Sequence, residues 1–271
     1  MPVRTVLVGC GNMGFAMVSG WLSSGRLQAG DILVVEPNED LRARAARLGV
    51  LTAERAPTPS ADAAPQLVVL AVKPQIIRQV TAAYRHLGNG ATVFLSIAAG
   101  TPMSAFEEIL GADTPLVRCM PNTPAAIGKG MMVVYANRKV GSDRLAFVKD
   151  LLAASGAVAE VDDETLMDAV TAVSGSGPAY VFHFIECLTA SAEKVGLPPE
   201  TAKLLAMQTV YGAACLAAES SEDPATLRRQ VTSPNGTTAA ALEILMGGAR
   251  LESLVAEAVE AARARSVELR N

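Results

Sequence analysis

Val6-Leu7-Val8-Gly9-Cys10-Gly11-Asn12-Met13-Gly14 joins a short apolar run to a G-x-G-x-x-G turn, and a helix-patterned segment follows from Phe15 to Ser24. Each glycine has a reason in a strand-to-helix turn that holds a dinucleotide. Gly9 permits the tight turn, Gly11 lets the backbone approach a pyrophosphate, and Gly14 lets the helix pack closely on the strand. The phosphates then face the unpaired N–H groups and the positive dipole end of that helix. A glycine-rich turn with no ligand is the plain alternative, and a lone motif does not exclude it. The context favours the dinucleotide. A second β-patterned run, Ile32–Val35, ends at Glu36, 22 positions past Gly14, where a ribose-binding carboxylate belongs. Such a carboxylate accepts both ribose hydroxyls of NAD and repels a 2′-phosphate, so Glu36 tilts the expectation mildly towards NADH. Asn38, Arg42 and Arg44 lie close by, and an arginine would offset that repulsion.

The bulk composition narrows the function further. At 271 residues the chain suits one large domain or two ordinary ones. Half of it is hydrophobic but only 4 % is aromatic, so Ala, Val and Leu must build the core. A net charge of −4 argues against a nucleic-acid partner. Cys10, Cys119, Cys187 and Cys215 are widely scattered with no C-x-x-C pair, so reduced thiols are expected, with no metal or disulfide framework. The chain enters its first strand at once, which leaves no room for a signal peptide. The longest apolar stretch, Leu204–Ala218, is too short to span a bilayer and reads as a buried helix. A soluble cytoplasmic protein without membrane partners is the expectation.

Strand and helix patterns alternate through the first 161 residues. Leu41–Leu48 reads as a helix, Val50–Thr52 as a short strand, and Ala56-Pro57-Thr58-Pro59-Ser60 as a loop. Leu67–Val72 is continuously apolar, the mark of a parallel strand buried on both faces. It runs into Ala71-Val72-Lys73-Pro74-Gln75, with Pro74 suited to the first position of a helix to about Arg85. Lys73 then stands at the carboxyl end of a strand, where open α/β sheets bind ligands. A solvated lysine there is an equal alternative. Ala91–Ile97 is the next strand, and Ala98-Ala99-Gly100 leaves room for something flat against the backbone. A helix over Pro102–Leu110 and a strand over Leu116–Met120 lead into the stiff Pro121-Asn122-Thr123-Pro124 loop. Gly130–Ala136, a helix from Ser142 to Ala154, and Ala157–Val161 close this half. The pattern predicts a doubly wound, mostly parallel α/β sheet of Rossmann type over residues 1–161.

Residues 162–271 carry no further strand signal. Helices are expected over Asp163–Val173, Pro178–Val195, Glu200–Ser220, Pro224–Val231, Thr237–Met246 and Leu251–Leu269. Several faces carry few charges, which implies burial between subunits, and this half reads as an all-helical dimerisation domain that also completes the active site. His86 suits a helix-end cap, and His183 in its apolar helix suits a packed core or interface better than catalysis. Pro234, Asn235 and Gly236, just before a helix, can turn several N–H groups towards one point, a good cradle for a carboxylate. The hydroxyls of Ser233, Thr237 and Thr238 can add hydrogen bonds. An ordinary threonine N-cap explains the same residues.

Taken together, five segments resemble the pyrroline-5-carboxylate reductase family. They are Ala71–Gln75, Ala98–Gly100, Arg118–Pro124, Ser174–Tyr180 and Ser233–Thr238, in the family's order and spread over essentially the whole chain. The last matches a Ser-Pro-Gly-Gly-Thr-Thr pattern except that Asn235 replaces the first glycine. Asn is the non-glycine residue that best tolerates a left-handed backbone. The resemblance implies that NAD(P)H delivers a hydride to the imine carbon of (S)-1-pyrroline-5-carboxylate, giving proline, the last step of proline biosynthesis. It implies that Ser233 and the N–H groups of Gly236 and Thr237 bind the carboxylate, with Asn235 shaping the loop. The Thr238 hydroxyl would be the catalytic group, hydrogen-bonded to the ring nitrogen. On the cofactor side it implies Gly9 to Gly14 with Cys10, Asn12 and Met13, then Glu36 and Asn38, Ala71 to Pro74, Ala98 and Ala99, and Met120 and Asn122. A homodimer, or a higher homo-oligomer such as a decamer, is implied as well. Two other readings compete. β-Hydroxyacid dehydrogenases share the plan but need a lysine where Val181 stands, although Gly175 and Gly177 match their motif. A non-catalytic dinucleotide-binding sensor would have no use for the Ser233–Thr238 loop.

Overall fold

The computed structural model describes residues 3–56 and 64–270. Of the proline-marked loop from Ala56 to Ser60, all but Ala56 lies outside the described residues. The chain runs β1 (Thr5–Val8), α1 (Asn12–Ser23), β2 (Ile32–Val35), α2 (Glu39–Ala46), β3 (Leu51–Ala53), β4 (Leu67–Leu70) and α3 (Pro74–Ala82). Then come β5 (Val93–Ser96), α4 (Met103–Leu110), β6 (Leu116–Met120), β7 (Gly130–Ala136), α5 (Ser142–Ala153) and β8 (Gly156–Glu160). The remainder is α6 (Met167–Val170), α7 (Gly177–Lys194), α8 (Pro199–Glu219), α9 (Pro224–Gln230), α10 (Thr237–Met246) and α11 (Arg250–Glu268). The strands form one sheet in the order β3-β2-β1-β4-β5-β6-β7-β8. β1 to β6 are mutually parallel, whereas β7 runs antiparallel to β6 and parallel to β8.

Two cores flank the sheet, and the period of two along each strand feeds both. Leu7, Val34, Val69 and Leu95 join Met17, Trp21 and Leu151 on one face. Val6, Val8, Val68, Leu70 and Phe94 join Ile77, Phe106 and Leu110 on the other. Such two-sided burial is why the strands read as unbroken apolar runs. Trp21 is fully buried, and its indole N–H donates to the Leu151 carbonyl at 3.0 Å. The expected doubly wound, mostly parallel sheet is therefore the fold.

The described residues fall into two compact units, one up to Ser176 and resumed from Ala262, the other Gly177–Ala261. Residues 162–176 and 262–270, expected with the helical half, pack in the first unit because buried polar groups hold them there. Arg118, 5 % exposed, pairs with Glu164 at 2.5 Å, and the same Glu164 oxygen accepts the Met103 N–H at 2.8 Å. Asp168, 3 % exposed, accepts from Ser266 Oγ at 2.8 Å and from Arg270 Nε at 3.1 Å.

The single helix expected over Asp163–Val173 forms instead as a 3-10 turn, the short α6, and a π-helical turn over Thr171–Gly175. The π turn closes with the Ser176 N–H on the Thr171 carbonyl at 2.8 Å. A bend at Ser176 separates this turn from α7, which starts at Gly177, one residue before the expected Pro178. Within the second unit α7 packs against α8. Only Ala202 and Ala206 of α8 are buried, so the burial expected for Leu204–Ala218 is not met within one chain. Phe182, Phe184, Leu204, Met207, Tyr211 and Leu216 all lie exposed on α7 and α8. His86 sits in a 3-10 turn, Arg85–Leu87, beyond α3.

Candidate active site

The glycine turn has the form its sequence demands. Gly9 sits at φ +90°, and a Cβ there would lie 2.7 Å from the Ala71 carbonyl oxygen. A Cβ on Gly14 would lie 2.4 Å from the Gly9 oxygen and 3.2 Å from Leu7 Cδ2, so strand and helix touch through the missing side chain. Gly11 differs, since nothing lies within 4 Å of where its Cβ would be. It is the N-cap of α1, makes no side-chain cap bond, and leaves the first-turn N–H groups without intrahelical partners. An open glycine at an uncapped helix start fits a pyrophosphate. Beside it, at the carboxyl ends of β1, β2 and β4, lies a cavity of about 590 Å³ whose walls include Val8, Val35, Pro37, Val72, Ile76 and Tyr84. Its size and apolar walls suit an adenosine moiety.

Glu36 is buried, and each of its oxygens accepts one backbone N–H. Oε2 accepts the Cys10 N–H at 2.7 Å, and Oε1 accepts the Asn38 N–H at 2.9 Å. Asn38 caps α2 by accepting the Leu41 N–H at 3.0 Å. Arg42 donates to the carbonyls of Glu36 and Pro37, each at 2.9 Å. Arg44, from the last turn of α2, donates through one nitrogen to the carbonyls of Cys10 at 2.9 Å and Gly11 at 3.1 Å. Its guanidinium lies over the Phe15 ring, 4.2 Å from the centroid. Cys10 is fully buried, and that burial pushes its thiol up from the ordinary range while Arg44 pulls the other way. The sequence reading placed Arg44 nearby, but nothing in the residue pattern revealed its grip on the turn.

The remaining positions expected on the cofactor side end or follow strands at the same sheet edge, or start α1. Asn12 is exposed and Met13 half-buried at the start of α1. Ala71 and Val72 are half-buried after β4, and Lys73 is exposed as the N-cap of α3, with Pro74 at its first position. Ala98 is buried, its N–H donating to Ser96 Oγ at 3.2 Å, while Ala99 is exposed. Met120 ends β6 against the π turn, where a Cβ on Gly175 would lie 2.4 Å from its Cε. Asn122 is fully engaged in structure: Nδ2 donates to the Ser174 carbonyl at 3.0 Å, and Oδ1 accepts the Met131 N–H at 2.8 Å.

Ser233–Thr238 belong to the second unit and form a helix start. Asn235 adopts φ +57°, the left-handed conformation expected of it. The Gly236 N–H donates to the Ser233 carbonyl at 3.1 Å, closing a turn. A Cβ on Gly236 would lie 2.3 Å from Ser233 Oγ, so the serine hydroxyl rests on the bare glycine. Gly236, not a threonine, is the N-cap of α10, which sets aside the ordinary threonine cap. The helix ladder begins with the Ala240 N–H on the Gly236 carbonyl at 3.2 Å. The N–H groups of Thr237, Thr238 and Ala239 therefore have no partner within the helix, and the Ser233 hydroxyl lies beside Gly236 at the same helix start, an arrangement for an anion. His183 lies exposed on α7, its Nδ1 3.0 Å from Glu186 and its Nε2 3.6 Å from Cys187 Sγ. No group of three or more metal-ligating side chains occurs among the described residues.

Comparison with known proteins places these features in one lineage. Residues 164–269 match the model of pyrroline-5-carboxylate reductase dimerisation, and residues 4–100 that of NADP oxidoreductase, coenzyme F420-dependent. The chain is 42 % identical to a pyrroline-5-carboxylate reductase of Pseudomonas aeruginosa, over 98 % of this chain and 96 % of that one. It is 40 % identical to one of Synechocystis, over 99 % of each. Among solved structures, a pyrroline-5-carboxylate reductase from Coxiella burnetii superposes with a TM-score of 0.93 at 35 % identity over the full length of both chains. One from Plasmodium falciparum, with NADP bound, gives 0.83 at 28 % identity, covering 99 % of this chain and 98 % of that one. With its glycine turn, its doubly wound sheet and its Ser233–Thr238 helix start, the chain belongs to the pyrroline-5-carboxylate reductase family.

Proposed function

We infer that the chain reduces the C=N bond of (S)-1-pyrroline-5-carboxylate at the expense of NAD(P)H, giving L-proline in the last step of proline biosynthesis. The observation that carries this reading is the start of α10, where Asn235 turns the chain and helix-end N–H groups without intrahelical partners stand near the Ser233 hydroxyl. The substrate carboxylate is held by the Thr237 and Thr238 N–H groups and by Ser233 Oγ. The Gly236 N–H, which the sequence reading gave to the substrate, closes the turn onto Ser233 instead. Thr238 Oγ1 orients the ring nitrogen. A threonine hydroxyl is a poor acid, so the imine is bound already protonated or takes its proton from water. When bound, the nicotinamide supplies the hydride, and the protein supplies position.

Gly9 to Gly14 hold the pyrophosphate, and Ala71 to Pro74, Ala98, Ala99 and Met120 border the remainder of the cofactor. Each Glu36 oxygen accepts one N–H, which leaves it a further lone pair with which to accept a ribose hydroxyl. The cofactor is NAD(P)H. Residues 162–271 carry association into a homodimer or a higher homo-oligomer such as a decamer, and the compartment is the cytoplasm. The test follows loss of nicotinamide absorbance from NADH and from NADPH, with and without the imine. Imine-dependent oxidation with proline as product supports the reading. Cofactor binding without turnover would leave a dinucleotide-binding sensor.

A further inference from the structure

We propose that Glu36 and Arg44 are positioning residues that clamp the glycine turn from opposite sides and so aim its N–H groups at the pyrophosphate. The inference rests on the cofactor reading above and gives this carboxylate a role different from ribose recognition. A peptide is planar, and its C=O and the following N–H point in opposite directions. Arg44 draws the Cys10 and Gly11 carbonyls to itself at 2.9 and 3.1 Å, so the N–H groups of Gly11 and Asn12 are directed away from it. Those are the groups beside the open face of Gly11. The preceding peptide is held from its other end, where the Cys10 N–H donates to buried Glu36 at 2.7 Å. Glu36 also accepts the Asn38 N–H, so one carboxylate locks the β1–α1 turn to the β2–α2 turn. Released, the Cys10 and Gly11 peptides could rotate and turn carbonyl oxygens towards the phosphates, which repel them.

The clamp acts on the turn, upstream of the site where NADH and NADPH differ, so its loss weakens both cofactors alike. Dissociation constants for NADH and NADPH, from the fluorescence of the bound nicotinamide, are compared in the wild type, Glu36→Gln, Arg44→Met and the double variant. Amide hydrogen exchange across residues 9–14 is read without cofactor. Each single variant is expected to weaken both cofactors about tenfold, with their ratio held within about twofold. Exchange in the turn is expected to quicken while the melting transition stays cooperative. The double variant is expected to cost less than the product of the singles, because both residues hold one set of peptides. Arg44→Met removes no buried charge partner and keeps the test open if Glu36→Gln does not fold. A ratio that moves tenfold towards NADPH in Glu36→Gln would return that carboxylate to the ribose and overturn the clamp, as would unchanged affinities. A wild type that binds neither cofactor would sink the cofactor reading itself, and the clamp with it.

Discussion

A methyl group on Gly236 would lie 2.3 Å from Ser233 Oγ, the end of a side chain that can rotate away. Gly236→Ala is expected to turn that hydroxyl out of the proposed carboxylate site. The Michaelis constant for the imine is expected to rise about 10- to 100-fold, the value of a hydrogen bond to a charged group. Thr238→Ala keeps the backbone cradle and removes only the hydroxyl proposed to face the ring nitrogen. Turnover is expected to fall about 100-fold with an unchanged melting temperature. Steady-state kinetics beside thermal melts read both variants, and an unchanged rate would remove Thr238 from the chemistry.

At the scale of elements, the end of α11 is bound into the first unit by a buried carboxylate. Asp168 accepts from Ser266 Oγ and pairs with Arg270, which also donates to the Thr165 carbonyl at 3.5 Å. Asp168→Ala would leave the serine hydroxyl and the half-buried guanidinium without their acceptor. Removing one partner of a buried pair costs about 3 kcal/mol. The midpoint of urea unfolding is expected to fall accordingly, and a midpoint unmoved would show that the clasp contributes nothing. The clasp lies beside Ala99 and Gly100, where Thr171, Ser176, Ser266 and Leu269 border a cavity of about 280 Å³. A carboxylate remote in sequence from the glycine turn thereby supports the same edge of the sheet.

For the whole molecule, the second unit carries a series of exposed large apolar side chains. Phe182 is 58 % exposed, Leu204 66 % and Tyr211 63 %, all on α7 and α8. Burying such side chains in an interface contributes about 1.5–3 kcal/mol each. The region also lies within the match to the pyrroline-5-carboxylate reductase dimerisation model, which supports homo-oligomerisation. Phe182→Asp is expected to weaken self-association at least tenfold, about 1.4 kcal/mol, and to shift sedimentation towards the monomer. An unaltered sedimentation profile would place the interface on other residues.

Much of this architecture was legible in residue order because it depends on local geometry. The spacing of Gly9, Gly11 and Gly14 requires a tight turn, an open approach and a close packing, and each occurs where the motif puts it. Apolar runs such as Leu67–Leu70 are buried on both faces, as their lack of alternation demands. Asn235 takes the left-handed turn because its side chain tolerates it. Other features depend on what the fold brings beside a residue. The acid at the end of β2 was evident, but its bond to the Cys10 N–H was decided by the turn that β1 sets against it. Arg44 and Asn122 became parts of the scaffold only through partners distant along the chain. The reversal of β7, the π turn at Thr171–Gly175 and the return of residues 262–270 to the first unit are likewise long-range results. Hydrogen-bond allocation inside a packed core is a competition among all groups within reach, and only the tertiary structure determines who is within reach.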